Sequence, residues 1–423
     1  MHQPEMSSRE TNIFMDYNAT TPLAPEVVEC MQDALVNCWS NPSSSYARGI
    51  GAAEKIKEAR KYLAALVGTP HHEDIIFTSG GTESNNMVIN GIVKYFKEWN
   101  QKQSKPLSGI PHVITTNVEH DAVILPLKHL QEEGLIDVSV IPVTNKGVVE
   151  ADDILSAVRP TTSLITVMMA NNETGVIMPI SEIGRKLQGV NRKRLASGLI
   201  KILYHTDAAQ AIGKIPVDVE ELLVDYLTVV GHKFYGPRGG CLYVRGPFTA
   251  TPVYPMFYGG GQENGIRPGT ENTLIAIGMG KAAFLAKQYF NQNQSLFICF
   301  RKYLEEMLKM TFGESAVIHF RDPDVPFLPN TCSVAFLTRD KGITASAILS
   351  SCKQLEASVG AACHKDGSLS KILLNSGISS DLARCTIRLS IGMLTTKNEI
   401  DLAIKDLVNS IQKLEKTLKV VQS

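Results

Sequence analysis

A lysine and an aspartate each follow a strongly apolar run of this sequence. Lys233 comes shortly after residues 226–230, and Asp207 comes shortly after residues 202–204. An apolar run that ends in polar residues is typical of a buried strand that reaches a site. A lysine can form a Schiff base, and an aspartate can hold a pyridinium nitrogen; pyridoxal 5'-phosphate (PLP) needs both groups from a protein. The pair therefore predicts a PLP site.

Each of these two residues also has a purely structural interpretation. A buried carboxylate is costly unless it is paired, so we expect Asp207 to have a cationic partner. That partner is either the ring nitrogen or a basic side chain in an ordinary salt bridge. Lys233 could be a solvated surface lysine, although the apolar run before it disfavours that alternative.

A glycine-rich segment at residues 78–86 joins a predicted strand to a predicted helix. Gly80 and Gly81 leave backbone N–H groups open, Thr82 adds a hydroxyl, and a helix start offers further N–H groups and a positive dipole end. We therefore predict that this segment binds phosphate, with a plain turn as the alternative. Thr270, in the Gly-rich segment 259–272, could reach the same phosphate or lie in a simple linker.

Three further side chains are candidates for contacts with the cofactor ring. His120 follows a predicted strand and could stack on a flat ring and exchange protons; the alternative is a hydrogen-bonded structural histidine. Asn172 and Gln210 carry amides that could hold the ring's phenolic oxygen, and the segment around Asn172 could equally be a turn.

Two residues near the carboxyl end are candidates for contacts with the substrate. Arg388 lies in an apolar strand, where it needs a carboxylate partner such as that of an amino acid. Cys363 lies in a polar, small-residue loop, as a reactive thiol requires. The other cysteines of this region, Cys332, Cys352 and Cys385, are predicted to be inert core residues.

The elements that must position these residues alternate between strand and helix. The predicted strands are residues 74–78, 112–116, 164–169, 202–205, 226–230 and 241–244, with helical patterns such as 54–67 and 152–158 between them. This alternation predicts an α/β fold with a mainly parallel sheet covered on both faces. Two polar stretches, 97–111 and 188–199, are interpreted as surface insertions. We predict a large PLP-binding domain at 25–273 and a smaller α+β domain from 1–24 plus 274–423.

Composition excludes several other classes of protein. The 423 residues carry 42 basic and 42 acidic side chains, so no basic excess is available for nucleic acid or an anionic membrane. The eight cysteines form no Cys-x-x-Cys pair, which argues against a metal cage and a disulfide framework. The first ten residues have neither a secretory nor a transit-peptide pattern, so a cytosolic location is expected.

Seven motifs in fixed order give this chain a specific resemblance. They are Asp-Tyr-Asn-Ala-Thr-Thr-Pro (16–22), Ser-Gly-Gly-Thr-Glu-Ser (79–84), Val-Glu-His (118–120), Asn-Asn-Glu-Thr-Gly (171–175), His-Thr-Asp-Ala-Ala-Gln (205–210), Gly-His-Lys-Phe-Tyr-Gly-Pro (231–237) and Arg-Pro-Gly-Thr-Glu-Asn (267–272). Together they resemble the class V aminotransferase family, within it the enzymes that remove sulfur or selenium from cysteine or selenocysteine. The resemblance spans roughly residues 13–415 and implies a fold-type I PLP homodimer with a seven-stranded sheet.

The resemblance also implies a role for each candidate. Lys233 would hold the cofactor, His120 would stack on its ring and Asp207 would hold its nitrogen. The remaining assignments are Asn172 and Gln210 at the phenolic oxygen, Gly81, Thr82 and His232 at the phosphate, Thr270 at the phosphate from the partner subunit, Arg388 and Asn18 at the substrate, and Cys363 as the selenium acceptor.

The implied reaction decomposes L-selenocysteine to L-alanine and selenide through a perselenide on Cys363, with a possible acceptor protein for the selenium. Val230 stands where bacterial desulfurases have a phosphate-binding serine, so one phosphate hydroxyl is absent. That residue, the two insertions and the sequence around Cys363 favour the selenocysteine-acting branch. One alternative is a cysteine desulfurase. An ordinary aminotransferase is also possible on fold grounds, but the Cys363 loop would then have no purpose. The intact set of Lys233, Asp207, His120 and Cys363 argues against a non-enzymatic scaffold.

Overall fold

The secondary structure comes from a computed structural model that describes residues 12–338, 342–359 and 369–422. Its strands are β1 Ile13–Phe14, β2 Ile75–Thr78, β3 His112–Thr116, β4 Asp137–Ile141, β5 Thr162–Thr166, β6 Leu203–Asp207, β7 Tyr226–Val230, β8 Gly240–Val244, β9 Ala316–Ile318, β10 Thr331–Phe336, β11 Leu355–Glu356 and β12 Thr386–Ser390. Its helices are α1 Pro25–Asn37, α2 Ala47–Val67, α3 Gly81–Gln101, α4 Asp121–Glu132, α5 Ala151–Ser156, α6 Ile180–Ala196, α7 Val219–Leu222, α8 Thr273–Gln288, α9 Phe290–Phe312, α10 Ala345–Ser351, α11 Lys371–Asn375, α12 Ser380–Arg384 and α13 Lys397–Gln422.

The largest sheet of the described chain has seven strands in the order β2-β8-β7-β6-β5-β3-β4. Only β8 runs against the others, since it pairs antiparallel with both β2 and β7. The predicted α/β fold with a mainly parallel sheet is therefore confirmed. Because β5, β6 and β7 are parallel neighbours, their carboxyl ends meet at one edge, where sites in such sheets form.

Helices bury both faces of this sheet, which is why its strands are nearly continuous apolar runs. Ile114 and Ile165 belong to the hydrophobic cluster on one face. Val113 and Leu164, their neighbours in sequence, belong to the cluster on the other face. Because both faces are covered, the polar residues at the ends of these strands lie next to a buried, apolar interior.

The carboxyl-terminal part forms a second, smaller sheet of β12, β10 and β9, all antiparallel. Strand β1 pairs in parallel with β11, so the start of the described chain joins this part. The predicted division at residue 273 stays a prediction. Helix α8, which begins there, contributes Met279 and Ala282 to a core cluster of the large sheet.

Two details differ from the sequence predictions. Strand β5 covers Thr162–Thr166 and ends before the predicted 169. Most of the polar stretch 188–199, interpreted as a surface insertion, forms the end of helix α6, and its Arg194 is buried. The Arg194 guanidinium donates to the carbonyl oxygens of Arg159, Pro160, Thr162 and Ile200. Because these acceptors cannot be recognised in the sequence, Arg194 looks there like an exposed residue.

Within the described ranges, no helix is both long and apolar enough to cross a membrane.

Helices α8 and α2 are in such close contact at Gly280 that one added methyl group is predicted to destabilise the protein. A Cβ added at Gly280 would lie 2.4 Å from Ala59 Cα, so Gly280→Ala must separate the two helices. We expect it to lower the free energy of unfolding by about 1–3 kcal/mol, measured by urea denaturation. Gly51→Ala is the matched control, since its Cβ meets nothing within 4 Å; it should leave stability unchanged or raise it by up to ~1 kcal/mol. Equal effects of the two variants would contradict this account of the packing.

Candidate active site

Lys233 and Asp207 lie at the carboxyl edge of neighbouring strands. Strands β6 and β7 pair in parallel with Asp207 opposite Thr228, and Lys233 ends the short 3-10 turn that follows β7. The Lys233 Nζ donates to the carbonyl oxygens of Asn18 and Ala19 at 2.6 and 2.8 Å. Lys233 is half-buried and points into the protein, at a chain segment that crosses the site, so it is not the solvated surface lysine of the alternative interpretation.

Asp207 is a buried carboxylate whose recorded partners are neutral. It is 8% exposed, Asn85 Nδ2 donates to its Oδ2 at 2.8 Å, and the Ala209 N–H donates to its Oδ1 at 2.9 Å. No salt bridge to Asp207 is present among the described residues. The expected structural salt bridge is thus not found there, and a buried carboxylate flanked by neutral donors fits a cationic ring nitrogen.

Asn18 connects the site to the rest of the molecule. Its carbonyl oxygen accepts from Lys233 and from Gln210 Nε2. Its side-chain amide donates to Thr331 Oγ1 and to the Asn172 carbonyl oxygen. Asn18 is 1% exposed, so its evident task is to fix the backbone that faces Lys233. The predicted contact with substrate stays a prediction.

A second lysine, which is fully buried, lies beside Lys233. Lys214 Nζ donates to Gln210 Oε1 at 2.6 Å and to Asn18 Oδ1 at 3.3 Å. Burial, then the positive charges of Lys233 and Arg388, hold the pKa of Lys214 well below its usual range. Both ends of the Gln210 amide are therefore engaged inside the protein, and its contact with a phenolic oxygen is untested.

The predicted phosphate cup lies at the amino end of α3. Gly81 is the first residue of this 21-residue helix, and Thr82 is exposed. A Cβ at Gly81 would lie 2.6 Å from Val230 Cγ2, so glycine is needed where β7 passes the helix start. The side chain that β7 presents beside Gly81 is that of Val230, which carries methyl groups and no hydroxyl. His232 Nδ1 shares a hydrogen bond with Thr20 Oγ1 at 3.0 Å, and burial lowers the pKa of His232 to about 4.

The Gly-rich loop before α8 is tied to the same helix start. Arg267 Nε donates to Glu83 Oε1 at 3.0 Å. Glu263 pairs with Arg60 at 2.6 Å and also accepts from the Phe77 N–H. Thr270 is exposed on this anchored loop, a position that suits contact with another subunit.

His120 begins helix α4 and is exposed. Its Nδ1 accepts from the Ala122 N–H at 3.0 Å, so the ring is oriented by the helix that it caps. The preceding Glu119 is buried and accepts from Met168 N and Thr116 Oγ1. Burial raises the pKa of Glu119 to about 8.

Arg388 already has a carboxylate partner from within the chain. Its guanidinium pairs with Asp16 Oδ1 at 2.5 Å and donates to the Asn172 carbonyl oxygen at 2.9 Å. Its Nε is buried and finds no acceptor among the residues described. A substrate carboxylate would therefore share this guanidinium with Asp16.

Cys363 lies outside the described residues, which stop at 359 and resume at 369. On one side, Ser358 pairs with Arg388 in a β-bridge. On the other, Ser370 Oγ donates to Glu173 Oε2 at 2.5 Å. The described residues Ser358 and Ser370, which flank this range in the sequence, therefore contact Arg388 and Glu173.

The cysteines predicted to be inert are placed differently. Cys332 and Cys385 are buried, and burial raises the pKa of both thiols. Cys352 is half-buried, and its thiol pKa is also raised by burial. Thiols of this kind are poor nucleophiles, as the sequence predicted.

Sequence reasoning did not identify Asn85 and Lys214. Asn85 occupies the apolar stripe of α3 with Val88 and Ile92, and a polar residue in such a stripe was an available signal. Lys214 follows Gly213 in an otherwise apolar stretch, and nothing in its spacing marks it as buried.

Comparisons with known proteins agree with this geometry. The model of the family described as "Aminotransferase class-V" matches residues 13–402. The chain is 50% identical to a Bos taurus selenocysteine lyase, covering 95% of this chain and 94% of that one. It is 36% identical to a Rickettsia massiliae cysteine desulfurase IscS, covering 97% and 94%. A solved structure of a NifS-like protein superposes with a TM-score of 0.81 at 30% identity, covering 94% and 98%. The chain belongs to the class V aminotransferase family, whose members depend on PLP.

Proposed function

We propose that this chain is a PLP-dependent lyase that decomposes L-selenocysteine to L-alanine and selenide. The observation that carries the proposal is the pair at the sheet edge: a buried carboxylate, Asp207, whose donors among the described residues are all neutral, and an inward-pointing amine, Lys233. The 50% identity to curated selenocysteine lyases supports the choice of reaction.

The residues that would hold the cofactor surround this pair. Lys233 would hold it covalently, Asp207 would pair with its ring nitrogen and His120 would cover its ring. The amino end of α3, with Gly81 and Thr82, would receive its phosphate, helped by His232 and, from the partner subunit, Thr270. Asn172 and Gln210 would lie at its phenolic oxygen. When bound, PLP supplies an electron sink for the charge that develops at the substrate Cα.

Side chains of this protein would carry out the remaining steps of the reaction. The Lys233 amine would take the proton from the substrate Cα and later return a proton to the product. Arg388 would orient the substrate carboxylate, with Asp16 keeping the guanidinium in place. The Cys363 sulfur would take selenium as the Cβ–Se bond breaks, and a reductant or an acceptor protein would discharge the resulting perselenide.

Preference for selenium over sulfur is supported by the charges of the site. A selenol is ionised at neutral pH whereas a thiol is mostly not. Lys233 and Arg388 lie close enough to Lys214 to depress its pKa, so the basic groups of the site favour a negatively charged substrate side chain. Relatives named cysteine desulfurase share only 36% identity, which makes desulfuration the second candidate.

We also propose that the protein acts as a homodimer. Support comes from the anchored loop that carries Thr270, where Phe257 and Tyr258 are 52% and 85% exposed, since apolar side chains at this exposure are typical of an interface. Sedimentation equilibrium of the full chain tests the proposal. A monomer with full activity would contradict it.

The reaction is tested by alanine release from the purified, PLP-loaded protein. L-selenocysteine and L-cysteine are supplied separately at equal concentration under reducing conditions. We expect turnover of selenocysteine with little or none of cysteine. Comparable turnover of both substrates would favour a cysteine desulfurase. Release of alanine from neither substrate would contradict the proposal.

Replacement of the proposed cofactor lysine gives a second test. Lys233→Ala should lose the yellow colour of the bound cofactor and all alanine release, because no other residue is proposed to hold PLP covalently. Lys128→Ala is the control, since this lysine lies on the exposed face of α4 with 66% of its side chain accessible; it should keep both properties. Turnover by Lys233→Ala would show that the lysine has been assigned wrongly.

A further inference from the structure

A line of buried side chains crosses three strands and ends at Asp207. Thr166 Oγ1 lies 2.8 Å from His205 Nδ1, and His205 Nε2 lies 3.1 Å from Thr228 Oγ1. Thr228 Oγ1 lies 2.7 Å from Asn85 Oδ1, and Asn85 Nδ2 lies 2.8 Å from Asp207 Oδ2. The first four of these residues are fully buried, so the line is shielded from water along its length.

The chemistry of the groups fixes the direction of every hydrogen bond in this line. An ionised carboxylate only accepts, so Asn85 presents its NH2 group to Asp207 and its amide oxygen to Thr228. An amide oxygen also only accepts, which commits the single hydroxyl proton of Thr228 to Asn85. Thr228 must then accept from His205 Nε2–H.

The protonation of His205 sets the direction of the remaining hydrogen bond, the one with Thr166. A neutral imidazole with its proton on Nε2 has an acceptor at Nδ1, and the Thr166 hydroxyl donates to it. Burial lowers the pKa of His205 to about 4, partly offset by the negative charge of Asp207, so the ring is neutral near pH 7. The four donors therefore point the same way, towards the carboxylate.

We propose that His205, Thr228 and Asn85 are positioning residues that fix the orientation of the Asp207 carboxylate for a cationic ring nitrogen. The inference rests on the proposed PLP site and adds residues that do not touch the cofactor. Without the Thr228 hydroxyl, the Asn85 amide keeps its bond to Asp207, but its buried oxygen loses the donor that holds it from the other side. The Asn85 donor to Asp207 is then held less firmly, and binding of the cofactor weakens.

The test compares two replacements of Thr228 in the full chain. Thr228→Val keeps the shape and removes the hydroxyl, whereas Thr228→Ser keeps the hydroxyl. The dissociation constant of PLP is measured by titrating each cofactor-free protein. We expect Thr228→Val to raise it about tenfold, as loss of one buried hydrogen bond implies, and Thr228→Ser to stay within about twofold of the original protein.

Thr115→Val is the matched control. Thr115 is buried on β3 of the same sheet, and its Oγ1 has no hydrogen-bond partner in the described structure. Removal of this hydroxyl should leave the PLP affinity unchanged. If the original protein binds no PLP, the proposed function is wrong. If it binds PLP and Thr228→Val binds PLP equally well, only the positioning role of His205, Thr228 and Asn85 is wrong.

A second measurement does not depend on how Thr228→Val folds. In protein with 15N-labelled histidine, the ring signals of His205 are assigned by their absence from His205→Gln. We expect a neutral ring protonated at Nε2 between pH 6 and pH 8. A charged ring, or one protonated at Nδ1, would contradict the direction of the hydrogen bonds that lead from Thr166 to Asp207.

Discussion

Stabilisation of one buried carboxylate is the constraint on which this site depends. Asp207 ends a central strand and is 8% exposed, yet its recorded donors are the amide of Asn85 and the N–H of Ala209. Transfer of a carboxylate out of water costs several kcal/mol unless a cation compensates it. Oriented neutral dipoles supply part of that compensation and leave room for a cation. The buried hydroxyls and amides around the strand ends follow from this need.

A short segment near the start of the described chain connects the two sheets across the site. Asn18 receives the Lys233 amine on its carbonyl oxygen and bonds through its side chain to Thr331 of the smaller sheet. Two residues earlier, Asp16 holds Arg388 of strand β12. The proposed cofactor lysine and the proposed substrate arginine are thus held by the same segment. Their separation is set by its hydrogen bonds.

The sequence was sufficient for the α/β fold, its mainly parallel sheet and the burial of Asp207, because polar residues at the ends of apolar runs carry a local signal. It could not provide the partners of these residues. Asp16 and Arg388 are separated by 372 positions, and Asn85 and Asp207 by 122. Such pairs arise only when strands are ordered in space. The burial of Arg194 was not predicted for a similar reason, since the four carbonyl groups that accept from it cannot be recognised in the sequence.

The central claim is that one particular amine at this sheet edge holds the cofactor. Two lysines lie there, the half-buried Lys233 and the buried Lys214, and both donate to Asn18. Reduction of the PLP-loaded protein with borohydride, followed by peptide mapping with mass spectrometry, identifies the lysine that carries the cofactor. The account predicts a phosphopyridoxyl group on Lys233 alone. The same group on Lys214, or on any other lysine, would contradict it.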